Sequence, residues 1–335
     1  MSHPLSIFEA ANASPQGVAL IAGGRAYTFA ELAERTARVL TWLDRRTGGA
    51  GRIALVASAS VETLVLIYAL VARGVPAAFL HPRLTATERA RLASVYAGGE
   101  ALLLVEDPVV ELEEASALPP SAAPAAVDDE TPLGVLFTSG TTGHPKGVVL
   151  SRRAFLASAA ASEGNLGWNA DDRWLLCMPV AHVGGLSVVI RCLVARKTVV
   201  LEPRFEPAAV ADAMARERVT IVSFVPTMLA RLFESLPDHR PSPSLRVLML
   251  GGAGTPSKLL LAAAERGVPV LTTYGMTESC SSERAFASST SASRCVVRCS
   301  SRDTWASRPC PSTPGSGRPT SGSSTSMGAS TSGVA

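Results

Sequence analysis

The sequence carries little charge of either sign: 18% of its 335 residues are Asp, Glu, Lys or Arg, and the formal net charge is +3. So even a balance gives no electrostatic footprint for nucleic acid, and no Lys/Arg run with interleaved aromatics supplies one locally. An unbroken hydrophobic run is also missing. The most apolar stretch, residues 53–80, is interrupted by Glu62, Arg73, Gly74 and Pro76. It reads as a strand at 53–57, a helix at 61–71 and another strand, not as a membrane span. Residues 1–13 lack the basic start and continuous apolar segment of a secretory leader, so a cytoplasmic chain is expected. None of the six cysteines forms a Cys-x-x-Cys pair, which makes Cys295, Cys299 and Cys310 a poor zinc site. Lysine is absent after Lys258.

What is present suits a globular α/β protein. Apolar residues make up 47% of the chain, and its length can bury a large core or hold two domains. From residue 5 to about 280, strand-like and helix-like segments alternate at spacings that predict a parallel sheet with crossover helices. Helices are expected at 30–43, 152–163 and 207–217. Strands are expected at 101–105, 133–137, 198–201, 220–224, 247–250 and 269–272, with an exposed Ala/Pro/Ser-rich connection at 116–127.

The densest chemistry lies in Thr138-Ser139-Gly140-Thr141-Thr142-Gly143-His144-Pro145-Lys146-Gly147. Glycines let backbone N–H groups converge on one point, hydroxyls add donors, and lysine adds a mobile positive charge: a surface suited to polyphosphate. The common nucleoside-triphosphate signature needs Lys-Ser/Thr directly after its second glycine, and here His144 and Pro145 intervene. A plain surface turn is the alternative, since Gly, Ser, Thr and Pro dominate turns. With the predicted strand before it and helix after it, the loop is expected between a strand and a helix.

This loop resembles the phosphate-loop signature of the adenylate-forming superfamily. Tyr274-Gly275-Met276-Thr277-Glu278 resembles that family's next core motif, and Ala19-Leu20-Ile21 with Tyr27-Thr28-Phe29-Ala30-Glu31-Leu32 is similar to its opening. The resemblance covers residues 5–280. It implies the family's large N-terminal domain, two parallel-type βα subdomains packed together. It also implies ATP-dependent joining of a carboxylic acid to coenzyme A: the carboxylate attacks the α-phosphate of ATP, and the thiolate then displaces AMP. The same resemblance assigns Thr138, Ser139, Gly140, Thr141, Thr142, Gly143 and Lys146 to the β- and γ-phosphates. Thr277 falls to the α-phosphate, Glu278 to Mg²⁺ with water completing its shell, and Tyr274, Gly275, Gly251, Gly252 and Ala253 to the adenine cleft. A lone glutamate is otherwise a solvated residue, and a strand-end tyrosine is otherwise packing.

Met178-Pro179-Val180-Ala181-His182 resembles the block in which an aromatic or His closes the acid pocket, with a satisfied histidine as the alternative. Gly184-Gly185-Leu186-Ser187 with Arg191, Ser223 to Leu229 with Thr227, and Leu250 to Gly254 resemble the branch that activates o-succinylbenzoate for menaquinone synthesis. Arg191 would pair bidentately with a second carboxylate; an ordinary helix-surface arginine is its alternative. A medium-chain or aryl-acid ligase stays open.

After Cys280 the pattern changes: about four residues in ten are Ser or Thr, and no periodic apolar pattern continues. The expectation for 281–335 is a low-complexity tail or the product of a reading-frame shift near codons 280–285. The family's Thr-Gly-Asp block and lid lysine are not found, so a lid domain is expected to be absent. A nucleotide-binding remnant without turnover, or an adenylation half served by a separate lid protein, therefore stand beside an active ligase.

Overall fold

In the computed structural model the described residues are 3–47, 51–138 and 145–281, with the main chain of 284–286. Residues 139–144 and 287–335 lie outside them, and so do the expectations for Ser139, Gly140, Thr141, Thr142, Gly143, His144, the tail and its cysteines. The strands in chain order are β1 (Val18–Ala22), β2 (Arg25–Thr28), β3 (Arg52–Val56), β4 (Ala77–Leu80), β5 (Leu102–Val105), β6 (Pro132–Thr138) and β7 (Lys146–Ser151). They continue with β8 (Arg173–Leu176), β9 (Thr198–Leu201), β10 (Ile221–Phe224), β11 (Val247–Leu250), β12 (Val270–Tyr274) and β13 (Arg284–Phe286).

These strands form two sheets, ordered β5-β3-β4-β6-β7 and β13-β12-β11-β10-β8-β9-β1-β2. Each has a parallel interior, and antiparallel partners close one edge of the first (β7) and both edges of the second (β2 and β13). Helices cross over between parallel neighbours: Val61–Arg73 joins β3 to β4, and Val183–Ala195 joins β8 to β9. Covering both faces of a parallel strand buries every position along it, which is why β4 and β9 are buried throughout. Alternation then sorts the side chains. Ile53 and Leu55 join Trp174 and Leu176 in the largest core. Ala54 and Val56 turn to a small outer cluster with Leu80 and Leu92, and Leu175 turns to another with Val222 and Phe224.

Local signals set the boundaries. Thr28 and Glu31 form a reciprocal cap (Glu31 N donates to Thr28 Oγ1 at 3.1 Å, Thr28 N to Glu31 Oε2 at 2.7 Å), starting helix Phe29–Thr47. Within 53–80, nine consecutive residues of helix Val61–Arg73, Thr63 to Val71, are buried in the shared core. Among the described residues no helix is long and apolar enough to cross a membrane.

One expectation is overturned. The loop after β6 does not lead into a helix: residue 146 begins β7, which runs back antiparallel to β6 with Thr138 opposite Lys146. The β-branched pair Val148-Val149 favours a strand, and the helix starts only after Ser151, whose hydroxyl accepts from Ala154 N at 3.2 Å. The helix that follows in the chain therefore begins beyond β7 and not at the end of the loop.

Candidate functional site

The carboxyl ends of β10, β11 and β12 lie side by side, the usual place for a ligand crevice in an open α/β sheet. Close approach is enforced there. A Cβ on Gly251 would overlap the Thr273 hydroxyl, and Gly252 adopts φ +80° with Val225 beside it. The result is a shallow floor of main chain at Gly251, Gly252 and Ala253, flanked by Tyr274, which is 57% exposed. Thr227 is exposed at the start of helix Pro226–Ser235. Ser223 is turned inward: its hydroxyl accepts from Trp174 Nε1 at 3.1 Å and lies 3.8 Å from Met249 Sδ.

On the other sheet, the loop end of the β6–β7 hairpin carries Thr138, Pro145 and exposed Lys146. Thr138 and Pro145 line a cavity of about 210 Å³, walled by Phe79, Phe137, His81 and His182. His182 is the N-cap of helix Val183–Ala195 but makes no capping bond with its side chain, leaving the imidazole available. Its ring centroid lies 5.1 Å from that of His81. His81 is a site residue the motifs did not reveal; its only sequence signal is its place just after a fully buried strand. The Arg83 amide donates to His81 Nδ1 at 3.0 Å, which leaves the ring proton on Nε2.

Desolvation lowers the pKa of both histidines, and His182 and Arg83 lower that of His81 further. Groups with folded pKa values below the ordinary ~6.5 bind fewer protons than in the unfolded chain, so stability is full at neutral pH and falls as pH drops below that value. Urea titrations between pH 5 and 7.5 are expected to show this slope, and His81→Phe to flatten it. An unchanged slope in that variant would assign the dependence to other groups.

Beyond Tyr274 the chain turns sharply. Cys280 N bonds to Thr277 O (3.0 Å), Ser281 N to Met276 O (3.0 Å) and Met276 N to Ser279 Oγ (3.2 Å). Cys280 and Ser281 both sit at φ +53°, a left-handed conformation costing about 1–2 kcal/mol per non-glycine residue. The turn presents Glu278 to solvent with Thr277 half-buried, and it buries Cys280, whose thiol is pushed up to about 12 by desolvation and so is not a reactive group. Arg191 is not on a helix surface, as its plain alternative held. It is 3% exposed, and Nη2 donates to Ser158 Oγ (3.0 Å) and to the Ser281 carbonyl (2.9 Å), with the guanidinium 5.7 Å from the Trp174 ring centre. Its spacing in the helix, polar amid apolar residues, hinted at burial; its hydrogen-bond partners, more than 30 residues away on either side, did not show.

Comparison with known proteins decides the family. The AMP-binding enzyme family matches residues 7–296. The chain belongs to the AMP-binding enzyme family.

Within that family the chain is 34% identical over 293 residues to a 2-succinylbenzoate–CoA ligase of Bacillus cytotoxicus, covering 83% of this chain and 60% of that one. It is also similar to o-succinylbenzoate CoA synthetase (MenE) of Bacillus subtilis in complex with the acyl-adenylate intermediate OSB-AMP. That match has a TM-score of 0.74 at 32% identity and covers 84% of this chain and 60% of that one. The same Bacillus subtilis enzyme with ATP and magnesium ion matches at a TM-score of 0.71 and 30% identity, over 82% and 60% of the two chains. The chain thus spans about 60% of the length of these relatives.

Of the residues singled out for AMP-binding chemistry, the fold groups Gly251, Gly252, Ala253, Tyr274, Gly275, Thr277 and Glu278 along adjoining strand ends. It separately groups Thr138, Lys146 and His182 at the hairpin end. Arg191 and Ser223 sit behind these, joined through Trp174. Among the described residues no cluster of three or more His, Cys, Asp or Glu could hold a metal unaided. A solvent-facing carboxylate such as Glu278 does suit Mg²⁺, which binds through one or two carboxylates together with phosphate oxygens and water.

Proposed function

We propose that residues 5–280 form the nucleotide-binding domain of an ATP-dependent acid–CoA ligase, acting in the cytoplasm on an o-succinylbenzoate-type acid in menaquinone synthesis. The observation that carries this reading is the shared strand-end edge, where a main-chain floor, an exposed tyrosine and an exposed glutamate adjoin.

In this reading the floor at 251–253 and Tyr274 hold adenine. The loop hydroxyls and Lys146 hold the β- and γ-phosphates, and Thr277 orients the α-phosphate for attack by the acid carboxylate, with pyrophosphate as the leaving group. His182, kept neutral by desolvation, closes the acid pocket without adding a charge beside the apolar part of the acid. Magnesium, held by Glu278, would neutralise phosphate charge when bound.

The test is titration of the 335-residue chain with ATP and Mg²⁺ by calorimetry, then ATP–pyrophosphate exchange with o-succinylbenzoate, benzoate or octanoate. Lys146→Ala and Glu278→Gln are each expected to weaken MgATP binding by roughly tenfold to a hundredfold, the range for one lost charge-assisted contact. Wild-type affinity in both variants would remove the reading. Exchange that favours either monoacid would replace the acid assignment alone.

A further inference from the structure

We infer that Arg191 is a positioning residue for the magnesium-ligand turn: from beneath, its guanidinium fixes the Ser281 carbonyl and so aims Glu278. This rests on the reading of Glu278 as the magnesium ligand.

Three observations carry the inference. The turn ends on two consecutive left-handed, non-glycine residues, Cys280 and Ser281, a conformation that the main chain leaves unless something holds it. Two anchors are present: Cys280 is 1% exposed within the core, and the Ser281 carbonyl accepts from Arg191 Nη2 at 2.9 Å. The guanidinium is itself fixed by Ser158 Oγ at 3.0 Å and by the Trp174 ring, so a rigid helix passes its position to the turn. The turn's internal bonds, Cys280 N to Thr277 O and Ser281 N to Met276 O, then carry that position across Glu278. An arginine held this way acts on the substrate through the turn, and it affects metal-dependent binding rather than nucleotide binding in general.

A double-mutant cycle on the 335-residue chain tests this, with ATP affinity measured in Mg²⁺ and in EDTA. Arg191→Met is expected to weaken MgATP binding about tenfold and to leave binding in EDTA unchanged. Glu278→Gln is expected to do the same, and the double variant to lose no more than Glu278→Gln alone. Arg191→Lys, which keeps a donor and the charge, is expected to restore part of the loss. Losses that multiply in the double variant overturn the inference. So does an Arg191→Lys chain that binds MgATP as wild type but no longer binds o-succinylbenzoate, which would make Arg191 a substrate contact. Should Glu278→Gln itself leave MgATP affinity untouched, the magnesium reading falls and takes this inference with it, a result distinct from multiplying losses. If Arg191→Met does not fold, Ser158→Ala replaces it, read by hydrogen exchange. Faster exchange of the Cys280 and Ser281 amides is expected, and unchanged rates would count against a held turn.

Discussion

Asp172→Asn is expected to lower the unfolding free energy by about 3–5 kcal/mol, the range for removing one partner of a buried ion pair. The Asp172 side chain is fully buried. It accepts from Arg246 Nε (2.9 Å) and Nη2 (2.6 Å), from the Asn169 amide (2.8 Å) and from the Thr220 hydroxyl (2.8 Å). An asparagine keeps one acceptor oxygen and turns an NH₂ towards groups that are themselves donors. Arg246 also donates to the carbonyls of Leu166 (3.0 Å) and Gly167 (2.8 Å), so the loss loosens the junction of helix Arg152–Leu166 with β8, β10 and β11. Burial raises the Asp172 pKa, but the bonds from Arg246, Asn169 and Thr220 outweigh it and hold the carboxyl below the usual range. The sign follows: the stabilisation is complete above the unfolded value of ~3.9 and is lost as pH falls through the lower folded value. Urea denaturation of both chains should therefore show the full gap at pH 7 and a narrowing gap in acid. A gap under about 1 kcal/mol at pH 7 would mean that Arg246 is satisfied without the carboxylate, contrary to the usual cost of an uncompensated buried charge.

Gly185→Ala should be the second large loss, about 3 kcal/mol, at the upper end for overpacking. In an unobstructed helix this change would stabilise by up to about 1 kcal/mol through propensity, so its sign is informative. Here a Cβ would overlap the Pro179 carbonyl oxygen and come within 2.8 Å of its carbon and 3.0 Å of Met178 O, all main-chain atoms that cannot rotate away. Helix Val183–Ala195 would have to lift, carrying His182 off His81 at one end and disturbing Arg191 further along. Gly184→Ala is the control: its nearest obstacle is the Met178 methyl at 3.2 Å, the end of a flexible side chain. Thermal and urea unfolding of the two variants decide the matter. Equal stability in both would show that the 178–179 segment yields, and the close seating of this helix would lose its significance.

Much of the fold is legible in the residues. The strands at 53–57 and 198–201 and the helix at 61–71 stand out because two-sided burial writes mostly apolar runs, and the helix at 30–43 because one-sided burial writes a 3.6-residue period. The hairpin strand Lys146–Ser151 does not, since it is mostly exposed, with Leu150 its one fully buried residue, a pattern that a short sequence cannot separate from a turn before a helix. Among the proposed site residues, the loop, Tyr274, Thr277 and Glu278 are singled out by their order along the chain, because the phosphate and magnesium binding proposed for them needs particular groups in a fixed order. His81 and the role of Ser158 do not, because their partners are distant in sequence.

The amino-acid order alone therefore determined the βα alternation and the family. Tertiary structure decided that β1 pairs with β9 across about 180 residues, that Asp172 meets Arg246, that His81 faces His182, and that Arg191 supports the turn rather than lying on a surface. The division is physical. Propensity, periodicity and capping act between residues a few positions apart and leave local traces. Burial and long-range hydrogen bonding depend on which surfaces meet once the two sheets pack, and no single segment records that.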